Sequence, residues 1–209
     1  MRTYMTAAIV LGLAGAASAQ VWNEVGDAGQ DGVGAAQQTD GIGLLSTING
    51  ALGVESDIDL YGIRITDTAN FSASVVGGAT FDTQLFLFAA DGTGLAENDD
   101  SQGTLQSTIN SDSLIATGST AGIYYLAIGS FNNQPLDTDG QGMFGFDVYP
   151  GSGDQRTPTS SLALASWDDS GFGSGDYTIT LRGAEFAIPA PGALALLGLG
   201  GLVAARRRR

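Results

Sequence analysis

From residue 57 onward, apolar side chains recur at every second position in short runs. Tyr61, Ile63 and Ile65 fall on one face, with Asp59 at its open end. Phe71, Ala73 and Val75 alternate with Ser72 and Ser74, and Tyr177, Ile179 and Leu181 alternate with Thr178, Thr180 and Arg182. A period of two is the mark of a half-buried strand. Leu85-Phe86-Leu87-Phe88 is apolar without a break, which predicts a strand covered on both faces. Asp91-Gly92 after it suits the positive backbone angles of a two-residue hairpin turn. The run 122–129 is rich in aromatic and branched residues and predicts another strand; Phe144, Phe146 and Val148 alternate again. Weaker strand signals lie at 21–25, 42–48, 113–116 and around Leu162 and Leu164. No interior stretch keeps a helical period. Short strands spaced by about ten residues, with Gly and Asp between them, predict an all-β fold: a single antiparallel sandwich. Residues 57–185 form its body and 20–56 an N-terminal edge segment.

The two ends follow a different pattern. Residues 1–19 carry Arg2, an Ala/Leu/Gly-rich apolar run and the small residues Ala17-Ser18-Ala19. These are the parts of a secretory signal peptide, with cleavage by signal peptidase expected between Ala19 and Gln20; an uncleaved anchor helix is the alternative. At the other end, Pro189-Ala190-Pro191 precedes an apolar run and Arg206, Arg207, Arg208 and Arg209. Counted from residue 186, the run is about long enough to cross a bilayer of ~30 Å. The terminal arginines should stay cytoplasmic, leaving the body outside.

Charge sharpens this picture. The chain has 209 residues, eight basic and 22 acidic, and no histidine or cysteine; all eight basic residues are arginine. Outside the ends, Arg64, Arg156 and Arg182 face all 22 acidic residues. Such a surface repels nucleic acid and anionic lipid and suits cations, neutral glycans or basic proteins. The missing residue types exclude a Ser-His-Asp triad, an ordinary zinc site and a lysine Schiff base.

The proline motif, apolar helix and basic cluster resemble the PEP-CTERM sorting signal of exported bacterial proteins, with Ala190 where that signal usually has glutamate. The resemblance implies recognition by an exosortase-type membrane enzyme and a cell envelope holding exopolysaccharide or biofilm matrix. A plain C-terminal membrane anchor is the alternative. The body resembles the bacterial pre-peptidase C-terminal domain group. The matching residues are Asp57-x-Asp59-x-Tyr61, Phe71-x-Ala73, Asp82-x-x-Leu85-x-Leu87-Phe88 with Asp91-Gly92, then Leu95-Ala96, Asn98-Asp99-Asp100, Gly122-x-Tyr124-Tyr125-Leu126 and Gly175-Asp176-Tyr177-Thr178-Ile179. This second resemblance implies a jelly-roll-like sandwich that binds or positions rather than catalyses.

Three kinds of site are candidates. Asp57, Asp59, Asn98, Asp99 and Asp100 could together supply the oxygens that calcium requires, although Asp and Asn also simply end strands and build turns. The segment 137–140, Asp-Thr-Asp-Gly, is a fragment of a calcium-loop pattern. Trp167 and Tyr149, with Tyr125, are candidate sugar-stacking aromatics, and packing is the competing role for each. Asp168 and Asp169 beside Trp167 offer the carboxylates a glycosidase needs, but neighbours on a strand point to opposite faces. The expectation is an exported, envelope-anchored or exosortase-processed, non-enzymatic surface or matrix protein. A calcium-dependent carbohydrate-binding module and, further off, a carboxylate glycosidase are the alternatives.

Overall fold

The computed structural model describes residues 20–101, 103–145 and 155–189. In chain order the elements are β1 (Gln20–Asn23), β2 (Gln37–Gln38), β3 (Asp40–Gly41), β4 (Leu45–Leu52), β5 (Ile58–Ile65), β6 (Ser72–Ser74), β7 (Thr83–Phe88) and β8 (Gly94–Asn98). Then come β9 (Thr108–Asn110), α1 (Asp112–Ala116), β10 (Gly122–Ser130), β11 (Pro135–Asp137), β12 (Leu164–Trp167), β13 (Gly175–Arg182), β14 (Ala184–Phe186) and β15 (Ile188–Pro189). One sheet has the order β1-β4-β13-β6-β9; the second has β14-β5-β10-β7-β8, with β2 alongside β5.

The period of two sorts side chains onto opposite faces of the second sheet. Tyr61, Ile63, Ile65, Leu85, Leu87, Leu126 and Ile128 point inward and meet Ile48, Ala73, Ile179 and Leu181 of the first sheet. Leu60, Phe86, Phe88 and Ala127 point outward into a second core. A third layer made of β11, β12, Met143 and Phe144 covers that outer face. Both faces of β7 are therefore buried, as its unbroken apolar run requires, and all six of its residues are buried.

Several expectations need correction. The sheets are mixed rather than antiparallel throughout, because β1–β4, β2–β5 and β15–β3 pair in parallel. Those parallel partners are short and reach their neighbours across long connections, so no hairpin dictates their direction. The segment 113–116 is a helical turn, not a strand. Ile115 N and Thr117 N bond to the carbonyls of Ser111 and Ser113, and Leu114 docks on the inner core. The strand expected at 42–48 starts later, at Leu45, because Gly43 takes a positive φ of 85°. The β7–β8 hairpin is not a two-residue turn. Only Gly92 has positive φ there, Ala89 N bonds to Thr93 O, and three residues form the loop. Phe144 makes one bridge, to Pro158, and packs against Phe86 and Phe88; Phe146 and Val148 lie outside the described residues.

Among the described residues, no helix is long and apolar enough to cross a membrane. The signal-peptide residues Ala17 and Ala19, and the sorting-segment residues Ala190, Pro191 and Arg206 to Arg209, lie outside them. Gln20 begins β1 and Pro189 ends β15.

Candidate functional site

The five residues expected to form one calcium site do not assemble. Strand register gives the reason. Asp59 pairs with Ile128, Ile128 with Leu85, and Leu85 with Asn98. Asp59 and Asn98 thus lie level at the same end of the sheet, but β10 and β7 run between them. Three strand spacings separate them by about 14 Å, too far for one ion.

Asp59 instead enters a buried network between the sheets. Its Oδ2 accepts a hydrogen bond from the Tyr177 hydroxyl at 2.5 Å, and the Tyr177 and Tyr61 hydroxyls lie 2.6 Å apart. Burial, reinforced by the nearby charges of Glu24 and Asp57, pushes the Asp59 carboxyl up to about 8, against the lowering pull of the Tyr177 bond. Both phenols are driven well above their usual range, by burial first. Glu24 and Asp27 bring carboxylate oxygens within 4.8 Å of Asp59. Glu24, however, already accepts the backbone N–H groups of Ala28 and Ala51, both at 2.9 Å. This group ties β4, β5, β13 and the residue following β1 together. Asp57 closes the turn before β5 by accepting Gly53 N at 2.6 Å.

A different trio meets at the open end of the β7–β8 hairpin. Asp82 precedes β7, and Asp99 and Asp100 follow β8, so antiparallel pairing returns them to one place. One oxygen from each lies within 4.8 Å of the others. Two ligands about 2.4 Å from one ion can be at most about 4.8 Å apart, so this spacing suits a shared calcium. Asp99 is 6% exposed, and its Oδ1, the Oδ1 of Asp82 and the Oγ of Ser101 are buried without a hydrogen-bond partner. Leaving buried oxygens unsatisfied is costly, and carboxylates most of all. Burial, then the Asp100 and Asp82 charges, pushes Asp99 up to about 7 despite the lowering pull of Arg156. Burial and Asp100 push Asp82 up to about 6. Asn98 contributes differently: its Oδ1 accepts Thr108 N at 2.6 Å and its Nδ2 donates to Asp100 O at 3.0 Å, which shapes the loop.

Asp82 was not among the expected ligands. Its signal was present nonetheless, because an acid just before one hairpin strand and acids just after the other must converge. Arg156, one of the few cations, does not reach outward. It pairs with buried Glu97 at 3.3 Å, and Gln84 and Gln134 extend that polar chain beneath the outer core.

The aromatic candidates are also rearranged. Trp167 is core: it packs edge-on to Phe86 at 5.2 Å and to Phe88 at 6.3 Å, and its indole N–H donates to Gln30 O at 2.9 Å. A ring of that size gains most by covering the outer face of the sheet. Tyr125 is partly buried against the same layer, and Tyr149 lies outside the described residues. Asp168 accepts Gln134 N at 2.9 Å, while Asp169 takes a left-handed φ of 55°. Asp137 caps its own turn by accepting Asp139 N, Gln141 N and the Ser160 hydroxyl, which lowers its pKa with Ser160 as the largest cause.

No protein-family model, curated protein or solved structure matches the chain.

Proposed function

We propose that this chain is an exported, non-catalytic module of the cell envelope or extracellular matrix whose β-sandwich binds one calcium ion between Asp82, Asp99 and Asp100. The observation that carries the calcium reading is that Asp82 and Asp99 each hold a buried oxygen without a hydrogen-bond partner and belong to a cluster whose carboxylate oxygens lie within 4.8 Å of one another. Calcium accepts six to eight oxygens and tolerates irregular loops, which fits a site built where β8 runs into a turn. The ion would neutralise the repulsion that raises the pKa of Asp82 and Asp99 and would pin the hairpin's open end. The apolar and basic patterns of the two ends support export and sorting. The absence of histidine, cysteine and lysine, and the structural roles of Asp59, Asp137 and Trp167, favour binding over chemistry.

Calorimetric titration of calcium into chelator-stripped full-length protein tests the reading. One ion per chain is expected, with affinity reduced at least tenfold in Asp99→Asn and Asp82→Asn. The absence of both binding heat and any rise in melting temperature at saturating calcium would refute it, since an ion held by the folded state alone must stabilise it. Fractionation tests the export half, which fails if the intact chain stays in the cytoplasm.

A further inference from the structure

At the same end of the sandwich, the loops 53–56 and 168–174 border a shallow, open polar cleft of about 530 Å³ lined by Glu55, Ser56, Asp169 and Ser174. That volume lies within the range of about 300–1,000 Å³ in which small-ligand pockets fall. Beside it, Phe172 is 65% exposed and its ring lies 6.2 Å from that of Phe131, tilted by 35°. Phe131 is half-buried, so the exposed Phe172 ring extends it into one apolar face that follows the cleft residue Gly171 in the chain.

The surrounding backbone holds this arrangement firmly. Phe172 N donates to Ser130 Oγ, and that hydroxyl donates to Glu55 O, both at 3.0 Å. Asn132 Nδ2 donates to Ser170 O at 3.2 Å. A Cβ on Gly171 would collide with the Glu55 carbonyl oxygen, so only glycine lets the two loops touch. Asn132 and Asp169 both adopt left-handed backbones, with φ of 70° and 55°. Such conformations persist where the surroundings over-determine them.

We infer that this cleft binds a neutral oligosaccharide, with the Phe172–Phe131 pair stacking on a sugar face and Glu55, Asp169, Ser56 and Ser174 bonding to its hydroxyls. A pyranose ring presents an apolar C–H face and a rim of hydroxyls, and the site offers an apolar platform beside a rim of acceptors. The two carboxylates disfavour uronic-acid or sulfated polymers. The inference goes beyond the calcium reading and does not need it: the sugar-binding side chains are distinct from the Asp82 cluster, and because Phe131 N donates to Asp82 O at 3.1 Å the sugars are tested with and without calcium.

Full-length protein is titrated calorimetrically with cellohexaose, maltohexaose and mannohexaose, once with calcium and once with chelator. At least one should bind with a Kd of about 1 mM or tighter. Phe172→Ala and Asp169→Asn should each weaken it about tenfold, the size of a well-placed anchor. Asn keeps the left-handed backbone of Asp169, and Phe172 is exposed, so both variants should melt like the parent. Ile115→Ala, exposed on α1, should bind unchanged. Failure of all three sugars in both buffers overturns the inference, whatever calcium does. Parent-like binding by both variants, or binding of a cationic chitosan hexamer alone, overturns it too.

Discussion

Replacing Asp59 by Asn should stabilise the protein at alkaline pH and leave it nearly unchanged in acid. Asp59 is fully buried, with Oδ2 on the Tyr177 hydroxyl and Oδ1 without a partner. Burial raises its folded pKa from the ordinary carboxylate value of 3.8 to about 8. Below 3.8 both the folded and the unfolded chain hold the proton, and the group costs nothing. Between 3.8 and 8 the unfolded chain loses the proton first, so the native state binds more protons and stability falls as pH rises. Above 8 the cost is constant. A rise of about 4 pH units at ~1.36 kcal/mol each sets a ceiling near 6 kcal/mol. The half-buried Glu24 end admits solvent, which screens part of the repulsion, so a gain of about 2–4 kcal/mol at pH 9 is the expectation. Asparagine matches the shape, keeps an acceptor for Tyr177 and turns a donor toward Glu24. The assay is urea unfolding of parent and variant in chelator at pH 4, 6 and 9. A variant less stable than the parent at pH 9, or a difference that does not grow with pH, would refute the argument. A calcium-induced gain at pH 9 that the variant lacks would instead place a cation among Glu24, Asp27 and Asp59.

Other outcomes follow from the same structure. In chelator, the raised pKa values of Asp82 (about 6) and Asp99 (about 7) make their contribution most favourable below pH 4 and lost as pH rises through 6–7. Saturating calcium should flatten that slope, which melting curves at pH 5 and 8 with and without the ion would show. Phe88→Ala should cost about 3–5 kcal/mol in chemical unfolding, because a fully buried ring of the outer core leaves a cavity beside Phe144 and Trp167; a cost under about 1 kcal/mol would mean that the third layer is loosely packed. Gly50→Ala would drive a methyl into the Tyr177 hydroxyl and to 2.8 Å from Glu24 Oε2. Overpacking there should cost about 1–3 kcal/mol, and it should also move the pH dependence assigned to Asp59, which a merely local clash would leave in place.

How far the sequence reaches depends on how local the determinant is. Alternation alone placed Tyr61, Ile63 and Ile65 on one face, and an unbroken apolar run marked β7 as covered on both sides, because strand side chains obey a fixed period. The third layer was invisible in the same terms. Leu164 and Trp167 belong to a four-residue strand that pairs with β11 among the described residues, and nothing nearby in sequence says that they roof Phe86 and Phe88. From sequence Trp167 fits either a sugar platform or a packing ring, and only the placement of β12 decides for the core. The acidic residues divide along the same line. Whether Asp59 and Asn98 share an ion depends on how many strands stand between them, which only sheet order decides. The meeting of Asp82 with Asp99 and Asp100 needs nothing beyond the hairpin they flank. Carboxylates at the open end of a hairpin are thus legible from one chain, and carboxylates gathered across a sheet are not. The Phe131–Phe172 platform belongs to the second kind, since it joins the end of β10 to the loop before β13 through Ser130 and Glu55.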